Sequence, residues 1–476
     1  MHAVTSPAFK QNAKLALKDV GLQKALANSG PSFIARRAAA VARLPEFEQL
    51  RDVGRDIKNH TLANLDFYLE EYERNLTAAG GKLHWCADAA EARAAVLAIC
   101  QRANARTVTK GKSMISEEIG INDHLERHGI QPIETDLGEY IIQLRHELPS
   151  HIIAPAFHLN REDWEDQFRK SHTDLPVDRV FSERRDILTE ARTKLRERFL
   201  TADVGITGAN FLIAETGSSV IVTNEGNGDL TQTLPRVHIV LASIEKTVPT
   251  LEDATSLLRL LARSATGQDF SVYTTFSTGA RRPGDLDGPE EYHVVLIDNG
   301  RSAMLGTEFQ DMLRCIRCAA CMNHCPVYGA IGGHAYGWVY PGPMGSVLTP
   351  ALVGVDQAGL LPNASTFCGK CESVCPVKIP LPNLMRHWRE REFERHLTPL
   401  AVRTNLGVWA WFARRPAAYR LATRTASAML GFLGGKRGRF ASLPFAGGWT
   451  GGRDLPAPEG GTFFSRYAKQ QRDRTI

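Results

Sequence analysis

The sequence of 476 residues lacks several features of membrane and secreted proteins. It has no run of about eighteen uncharged apolar residues, which a membrane-spanning helix would need. Its first twenty residues contain no apolar segment like that of a secretory signal peptide. We therefore expect a cytoplasmic protein, and in that reducing compartment clustered cysteines favour metal or redox chemistry over disulfides.

Two common nucleotide-binding signatures are also missing. No G-x-G-x-x-G pattern follows the early predicted strands, so a nicotinamide or flavin site of the usual kind is not predicted. The segment Thr109–Ser116 follows a strand and opens a helix, which suits an anion, but a Walker A loop would need glycine where Arg106 stands. The chain is thus predicted to lack a hydride-handling cofactor of its own.

Charge is unevenly distributed along the chain. The composition, with 43% hydrophobic and 23% charged residues, is that of a soluble globular protein of two to four domains. The net charge is +5, but residues 395–476 contain fourteen Lys or Arg against three Asp or Glu. This basic tail suits docking at the inner face of the membrane or an acidic partner, or it keeps the protein soluble. No nucleic-acid partner is expected.

Hydrophobic periodicity divides the chain into four regions. Residues 1–64 show the spacing of amphipathic helices, and TLANLDFYLEEYERNL is predicted as a single helix ending before Gly80. Residues 65–300 alternate short strands with helices, which predicts βαβ units and a largely parallel sheet. Residues 305–390 carry most of the cysteines. Residues 395–476 are predicted to form helices interrupted at Pro416 and an extended final forty residues.

Three local patterns lie within residues 65–300. The segment SEEIGINDHLERHG is predicted to be helical. Two strands are predicted on either side of Thr216 and Gly217. The segment NEGNGD is predicted as a turn or loop, because asparagine, aspartate and glycine favour turns.

Seven of the nine cysteines form two runs, each followed by proline. The first run contains Cys315, Cys318, Cys321 and Cys325, and the second contains Cys368, Cys371 and Cys375. The spacing C-x2-C-x2-C-x3-C-P is typical of proteins with two iron–sulfur clusters, in which the fourth cysteine binds the other cluster. Cluster 1 is therefore assigned Cys315, Cys318, Cys321 and Cys375, and cluster 2 is assigned Cys325, Cys368 and Cys371. A zinc site or a disulfide framework fits this pattern poorly.

The second run lacks one cysteine, and the spacing places the missing ligand at Ser365. Cluster 2 is then a three-iron cluster, a four-iron cluster with a serine, water or other ligand, or a cluster with an open iron site. The preferred interpretation is two 4Fe-4S clusters, of which cluster 2 has three cysteine ligands and an unassigned fourth ligand.

Other residues near the cysteines have less specific interpretations. Arg314, Arg317 and Lys370 flank the cluster cysteines, where positive charge either raises the cluster potential or faces solvent or a partner. His334 is expected to have a structural role. The two remaining cysteines, Cys86 and Cys100, are expected to be buried apolar residues.

Charged residues at predicted strand ends are the candidate catalytic residues of the α/β region, because open α/β sheets place their chemistry there. The alternative for each is a helix cap, a turn or a solvated face. The candidates are Lys110, Lys112, Glu134, Asp136, Glu215 and Glu225.

The sequence as a whole resembles a known family. The segments KGKSMISEEIGIN, ETDLGEYIIQL and GITGANFLIAETGSSVIVTNEGN, both cysteine runs and the tail GGWTGGRDLPAPEGGTFF are similar to the iron–sulfur B subunit of bacterial lactate utilization systems. The resemblance implies a lactate-utilization (LUD) α/β domain similar in fold to CoA transferases and ribose-phosphate isomerases. It also implies a mostly helical ferredoxin-type module with two 4Fe-4S clusters, and helical N- and C-terminal extensions.

The same resemblance implies a function. The family is expected to oxidise L-lactate to pyruvate in a complex with two other subunits, which makes this chain an electron-carrying oxidoreductase subunit rather than an autonomous enzyme. Its cluster ligands carry over to the seven cysteines named above, whereas no catalytic residue carries over. The alternatives are a subunit serving glycolate or another 2-hydroxy acid, and an iron–sulfur redox sensor without turnover. Two closely spaced clusters favour electron transfer over sensing.

Overall fold

The computed structural model describes residues 3–443, 450, 453–459 and 461–474. The chain divides into two compact units, Met1–Glu392 and Phe393–Ile476. Among the described residues, every helix is too short or too polar to cross a membrane.

Four helices precede the first strand. They are α1 (Phe9–Ala16), α2 (Val20–Ala42), α3 (Phe47–Ala63) and α4 (Leu65–Ala78). The prediction of a single helix over TLANLDFYLEEYERNL is wrong, because the helix is broken at Asn64, where φ is −130° and ψ is 37°. The Asn64 side chain donates a hydrogen bond back to the His60 carbonyl, a local bond that competes with helix continuation.

The α/β region contains ten strands. In chain order they are β1 (Lys82–Cys86), β2 (Thr107–Lys110), β3 (Gln131–Glu134), β4 (Val204–Gly208), β5 (Phe211–Ile213), β6 (Ser218–Thr223), β7 (Val237–Ser243), β8 (Thr247–Val248), β9 (Tyr273–Ser277) and β10 (Glu291–Ile297). Its helices are α5 (Ala89–Arg102), α6 (Met114–Ile119), α7 (Ile121–Arg127), α8 (Leu137–Leu144), α9 (Arg161–Ser171), α10 (Arg184–Thr201), α11 (Asn227–Thr233) and α12 (Leu251–Ala265).

One local prediction in this region is wrong and two are confirmed. The segment SEEIGINDHLERHG is helical as predicted, and it forms two helices, α6 and α7, because Gly120 adopts the left-handed conformation between them (φ 63°). The segment NEGNGD is not simply a loop, since α11 begins within it at Asn227. The predicted pair of strands around Thr216 and Gly217 is confirmed, because β5 and β6 form an antiparallel hairpin there.

The strands form two sheets. The larger sheet has the order β1-β10-β7-β4-β2-β3, and every pairing in it is parallel, as predicted. The smaller sheet has the order β8-β5-β6-β9. In this sheet β2 is followed by β3 on one side, whereas β4 is followed by β7 on the other, so the chain leaves the carboxyl ends of β2 and β4 in opposite directions. Such a point in an α/β sheet opens a crevice that commonly holds a ligand.

The cysteine-bearing segment is mostly helical. Its helices are α13 (Ala320–Asn323), α14 (Pro326–Ile331), α15 (Gly342–Val353), α16 (Val355–Ala358), α17 (Lys370–Ser373) and α18 (Leu381–Glu394). One hydrophobic core joins this segment to the N-terminal helices and the smaller sheet, and it includes Leu50, Phe211, Leu257 and Trp338. The cysteines are therefore held by the same core that holds the α/β region.

The second unit contains α19 (Leu400–Ala413), α20 (Pro416–Gly434) and α21 (Phe463–Arg474), with the strand pair β11 (Arg439–Phe440) and β12 (Leu455–Pro456). The predicted interruption at Pro416 is confirmed, because α20 begins there. The prediction of an extended final segment is wrong at α21. Part of the tail segment GGWTGGRDLPAPEGGTFF lies outside the described residues.

Short 3-10 helices connect several of these elements. They are Ser6–Ala8, Ile244–Lys246, Ser302–Met304, Gln310–Arg314, His334–Tyr336, Leu361–Asn363 and Gly435–Arg437.

Candidate metal centre and adjoining cavity

Four cysteines from both runs line one small cavity. Cys315, Cys318 and Cys321 come from the first run, and Cys375 comes from the second. The rest of the lining is largely apolar and includes Met344. The structure therefore brings together the four cysteines that the sequence assigned to cluster 1.

The other three cysteines are close enough to affect one another. Burial, and after it the thiol of Cys325, raises the pKa of Cys371 to about 12. Cys368 is exposed, and the backbone N–H of Lys370 lowers the pKa of its thiol. This second group lies nearer the surface than the first, and its members are those that the sequence assigned to cluster 2.

The chemistry of these cysteines fits iron–sulfur clusters. Burial raises the pKa of Cys318 to about 12 and that of Cys375 to about 11, so metal-free thiols here would be protonated and unreactive. Backbone N–H groups nevertheless point at the sulfurs, with Arg317 N–H 3.5 Å from the Cys315 Sγ and Ile379 N–H 3.4 Å from the Cys375 Sγ. Such donors stabilise thiolate ligands of a cluster.

The two cysteine runs have the same local backbone. Arg317 and Ala319, on either side of Cys318, have positive φ values of 60° and 61°. Phe367 and Gly369, on either side of Cys368, have φ values of 53° and 75°. The short helices α13 and α17 follow at the same distance from these two cysteines. The runs are therefore two copies of one ligand-bearing turn.

Ser365 occupies the position in the second turn that Cys315 occupies in the first. The Phe367 N–H donates to the Ser365 Oγ at 3.1 Å, as the Arg317 N–H does to the Cys315 Sγ. The equivalence found in the sequence spacing thus extends to the direction of the side chain. Ser365 presents an oxygen where a fourth sulfur would stand.

The charged residues flanking the cysteines differ in environment. Arg314 is buried and lies 2.7 Å from Asp311, and Arg317 lies 3.2 Å from Glu245. The interpretation that these arginines face solvent is therefore wrong, whereas it holds for Lys370, which is exposed.

His334, Cys86 and Cys100 have environments that indicate structural roles. His334 Nε2 lies 2.7 Å from the Leu148 carbonyl, which agrees with the structural role expected for it. Cys86 and Cys100 are buried as predicted, and burial raises their pKa values to about 11 and 12. Both thiols are therefore unreactive fillers.

A buried ion network connects the α/β region to the first cysteine run. Arg301 donates from both Nη atoms to the two Glu118 oxygens, at 2.9 and 2.7 Å. Its Nε lies 3.0 Å from Glu245 Oε2, in an ion pair without hydrogen-bond alignment. Glu245 in turn pairs with Arg317, and the Tyr340 hydroxyl donates to Glu118 at 2.6 Å. Sequence analysis missed Glu118, Glu245 and Arg301, since no local pattern distinguishes them.

Two of the predicted catalytic candidates lie in a buried acidic cluster. Lys110 Nζ is fully buried, 2.9 Å from Glu117 and 2.7 Å from Glu134. Oxygens of Glu117, Glu134 and Glu139 lie within 4.8 Å of one another. Burial raises the pKa of Glu139 well above its usual value, so this carboxyl retains its proton. Lys110 pairs with both Glu117 and Glu134, and burial raises the pKa of Glu134 to about 7, so little net charge remains. This enclosed pairing favours a structural role for Lys110 and Glu134.

The other candidates are divided between a helix cap and a cavity. Glu215 is exposed and accepts the Leu251 N–H at the start of α12, at 3.0 Å. Lys112, Asp136 and Glu225 line a cavity of about 210 Å³ at the carboxyl ends of β2, β4 and β7. The structure therefore brings three of the six candidates together and separates them from the rest.

Three residues that were not among the six catalytic candidates also line this cavity. Lys246 follows β7, and Tyr340 and Arg317 come from the cysteine-bearing segment. Arg317 thus lines the cavity, and its backbone N–H donates to the Cys315 sulfur. We call this space the switch-point cavity.

Comparison with known proteins agrees with the two parts of this architecture. A family model described as the LUD domain matches residues 69–297. A second, described as a 4Fe-4S dicluster domain, matches residues 311–379. The chain therefore contains a LUD domain followed by an iron–sulfur domain.

Similar proteins match over nearly the full length. Lactate utilization protein B of Macrococcus caseolyticus is 43% identical over 464 residues, 97% of this chain and 96% of that protein. The protein of the same name from Bacillus subtilis is 40% identical, over 98% of this chain and 97% of its own. An Escherichia coli protein described as "Uncharacterized electron transport protein YkgF" is 41% identical, over 97% of each chain. With its two cysteine turns held beside a LUD domain, the chain belongs to the lactate utilization protein B family.

Proposed function

We propose that this protein is the iron–sulfur electron-transfer subunit of a complex that oxidises L-lactate to pyruvate and supports growth on lactate. The observation that supports the proposal best is the pair of equivalent cysteine turns, held in the core of a chain similar throughout to lactate utilization protein B. Two bound clusters would each accept and donate one electron at a time. Two other lactate-utilization subunits are the proposed partners.

The proposed ligand set is crossed between the two runs. Cys315, Cys318, Cys321 and Cys375 hold one 4Fe-4S cluster, and Cys325, Cys368 and Cys371 hold three corners of the other. We propose Ser365 Oγ as the ligand of the remaining corner, because Phe367 N–H holds this oxygen as Arg317 N–H holds the Cys315 sulfur. An oxygen ligand suits iron less well than a thiolate does, so this iron should be the one lost most readily.

A pair of substitutions tests the Ser365 assignment. Ser365→Ala should lower the iron content by about one atom per chain and increase the oxidised three-iron EPR signal, because one corner of a 4Fe-4S cluster loses its ligand. Ser365→Cys should keep the full iron content and suppress that signal. Iron analysis and EPR of anaerobically purified protein measure both effects.

Ser373→Ala is the matched control, because Ser373 is an exposed serine on the neighbouring helix α17. This variant should match the wild type. If Ser365→Ala also keeps the wild-type iron content and EPR spectrum, then another group holds that corner.

The function itself is tested by reduction with substrate. L-lactate added anaerobically to the complex purified with its partner subunits should produce the EPR signals of reduced clusters, and D-lactate serves as the control. Deletion of the gene should abolish growth on L-lactate in a strain without another lactate dehydrogenase. Clusters that dithionite reduces but L-lactate leaves oxidised would contradict the proposal, as would unimpaired growth.

A further inference from the structure

Helix α19 of the second unit is apolar in sequence but is not buried. Its sequence LAVRTNLGVWAWFA contains a single charged residue, Arg403, and the structure describes all of its residues and buries none of them. The side chains of Leu400, Trp409 and Trp411 are 75%, 62% and 51% exposed. A helix that is apolar on all sides is normally enclosed by other apolar groups. Among the described residues, α19 therefore lacks the surroundings that its composition requires.

The neighbouring helix α20 extends this exposed apolar surface. It packs against α19 and belongs to the same unit. Four apolar side chains of α20 are more than half exposed, namely Leu421, Met429, Phe432 and Leu433. Exposed apolar groups that lie together on a protein surface mark an interaction site. We call the surface formed by residues 400–434 the tail-helix surface.

The charge along and beside the tail-helix surface is of one sign. Residues 400–440 contain eight Lys or Arg and no Asp or Glu. Within the part of the chain that the structure describes, only Arg439 of these eight forms an ion pair, with Asp454 at 3.2 Å. The guanidinium of Arg415 lies over the Trp411 ring, 4.3 Å from its centroid, so a cation stands beside an exposed aromatic ring. The positive charges are therefore available to an anionic partner.

The distribution of these groups favours a lipid surface over a protein. A second copy of this chain would bring like charges together across the interface, and such contacts are costly. A protein partner generally covers one face of a helix. Successive residues of a helix are turned by about 100°, so Val408, Trp409 and Trp411 point in different directions. The boundary between lipid headgroups and acyl chains accepts apolar side chains around much of a helix, and anionic headgroups match charge of one sign.

The dimensions of α19 suit a position at such a surface. The helix has fourteen residues and is about 21 Å long, whereas the hydrocarbon core of a bilayer is roughly 30 Å thick. Trp409 and Trp411 are of the residue type that concentrates at the interface between membrane and water. Arg414 and Arg415 follow directly after the helix, where their side chains can reach headgroups.

We infer that the tail-helix surface docks the protein on an anionic lipid bilayer. The exposed tryptophan and leucine side chains then enter the boundary between headgroups and acyl chains, while the arginines remain among the headgroups. Positive charge by itself suits an acidic protein equally well, and the exposed apolar side chains are what favour lipid. The inference stands apart from the proposed function, whose test with L-lactate uses no lipid.

Cosedimentation of the anaerobically purified full chain with vesicles tests this inference, using phosphatidylcholine alone or equal parts of phosphatidylcholine and phosphatidylglycerol. The wild type should bind the mixed vesicles, bind the neutral ones at least about tenfold more weakly, and lose affinity as salt is raised. Trp409→Ser combined with Trp411→Ser should weaken binding to the mixed vesicles by about tenfold or more. Arg414→Gln combined with Arg415→Gln should weaken it by about 10- to 30-fold, because each charge near an anionic surface contributes about fivefold.

Matched controls are available in the first unit. Trp85→Ser replaces a tryptophan that is 48% exposed, and Arg184→Gln combined with Arg185→Gln replaces two adjacent exposed arginines of α10. Both controls should bind the mixed vesicles as the wild type does. Circular dichroism and iron content establish that each variant is folded and loaded. If the tryptophan variant fails that check, quenching of wild-type tryptophan fluorescence by brominated lipid decides whether the rings enter the bilayer.

Several outcomes would overturn the inference. One is a wild type that leaves the mixed vesicles unbound. Another is a loss of binding in the arginine variant but not in the tryptophan variant, which would show adsorption by charge alone. If the wild type does not bind vesicles and the tryptophan variant loses self-association or a copurifying partner subunit, the surface belongs to that protein contact instead.

Discussion

Replacing Cys375 with alanine is expected to remove the cluster of the first cysteine run, although Cys375 belongs to the second run in sequence. The physical reason is that Cys375 shares its cavity with Cys315, Cys318 and Cys321. The iron content should fall from about eight to about four atoms per chain. This loss exceeds the single iron expected for Ser365→Ala, because Cys375 is the one cysteine of this cavity that ties the cluster to the second run. Cys325→Ala should produce the same loss of iron but from the other cluster.

The EPR spectra of paired variants make this prediction specific. Cys375→Ala should give the spectrum of Cys318→Ala, and Cys325→Ala should give that of Cys371→Ala, because each pair removes the same cluster. The control is Cys100→Ala, at a buried cysteine apart from the runs, which should keep its full iron content. A Cys375→Ala spectrum that matches Cys371→Ala instead would contradict the crossed ligand set.

Replacing Arg301 is expected to lower the free energy of unfolding substantially. Arg301→Met leaves Glu118 and Glu245 buried without their principal cation. Burial raises the pKa of Glu245, but Arg301 and Arg317 outweigh burial and lower it to about 2, so this carboxylate stays charged in the folded protein. Leaving buried charge unpaired typically costs about 3–5 kcal/mol, which should lower the unfolding temperature by on the order of 10 °C.

The matched control for Arg301 is an exposed arginine in an ion pair. Arg259 lies 2.9 Å from Glu46, and both side chains are more than one-third exposed. Arg259→Met should change the unfolding temperature by about 2 °C or less, because solvent screens exposed ion pairs. Thermal unfolding of anaerobic samples at one scan rate compares the two variants. Equal shifts would mean that the buried ion network does not stabilise the fold.

Much of the fold was predictable because it depends on local patterns. The alternation of short apolar strands with helices predicted a largely parallel sheet, and the large sheet is wholly parallel. The helix breaks were less predictable. Asn64 and Gly120 fit within an amphipathic repeat, and only their backbone conformations show that a helix ends there.

The candidate site was likewise predictable only in the features that depend on local sequence. Cysteine spacing identified the cluster-binding runs and pointed to Ser365, because ligand spacing within one turn is a local property. The catalytic candidates at strand ends were chosen by residue type, and the type does not show whether a charge is already paired. Lys110 and Lys112 lie two residues apart, yet one is enclosed by carboxylates and the other lines a cavity.

By itself, the sequence determined the class of cofactor, the parallel α/β architecture and the position of the missing eighth cysteine. Each of these is recorded within a few residues or in a repeating pattern along the chain. Only the tertiary structure placed Lys246, Glu225 and Arg317 around one cavity and joined Arg301 to Glu118 and Glu245. The reason is that burial and pairing depend on residues far apart in sequence, which meet only when strand order and packing bring them together.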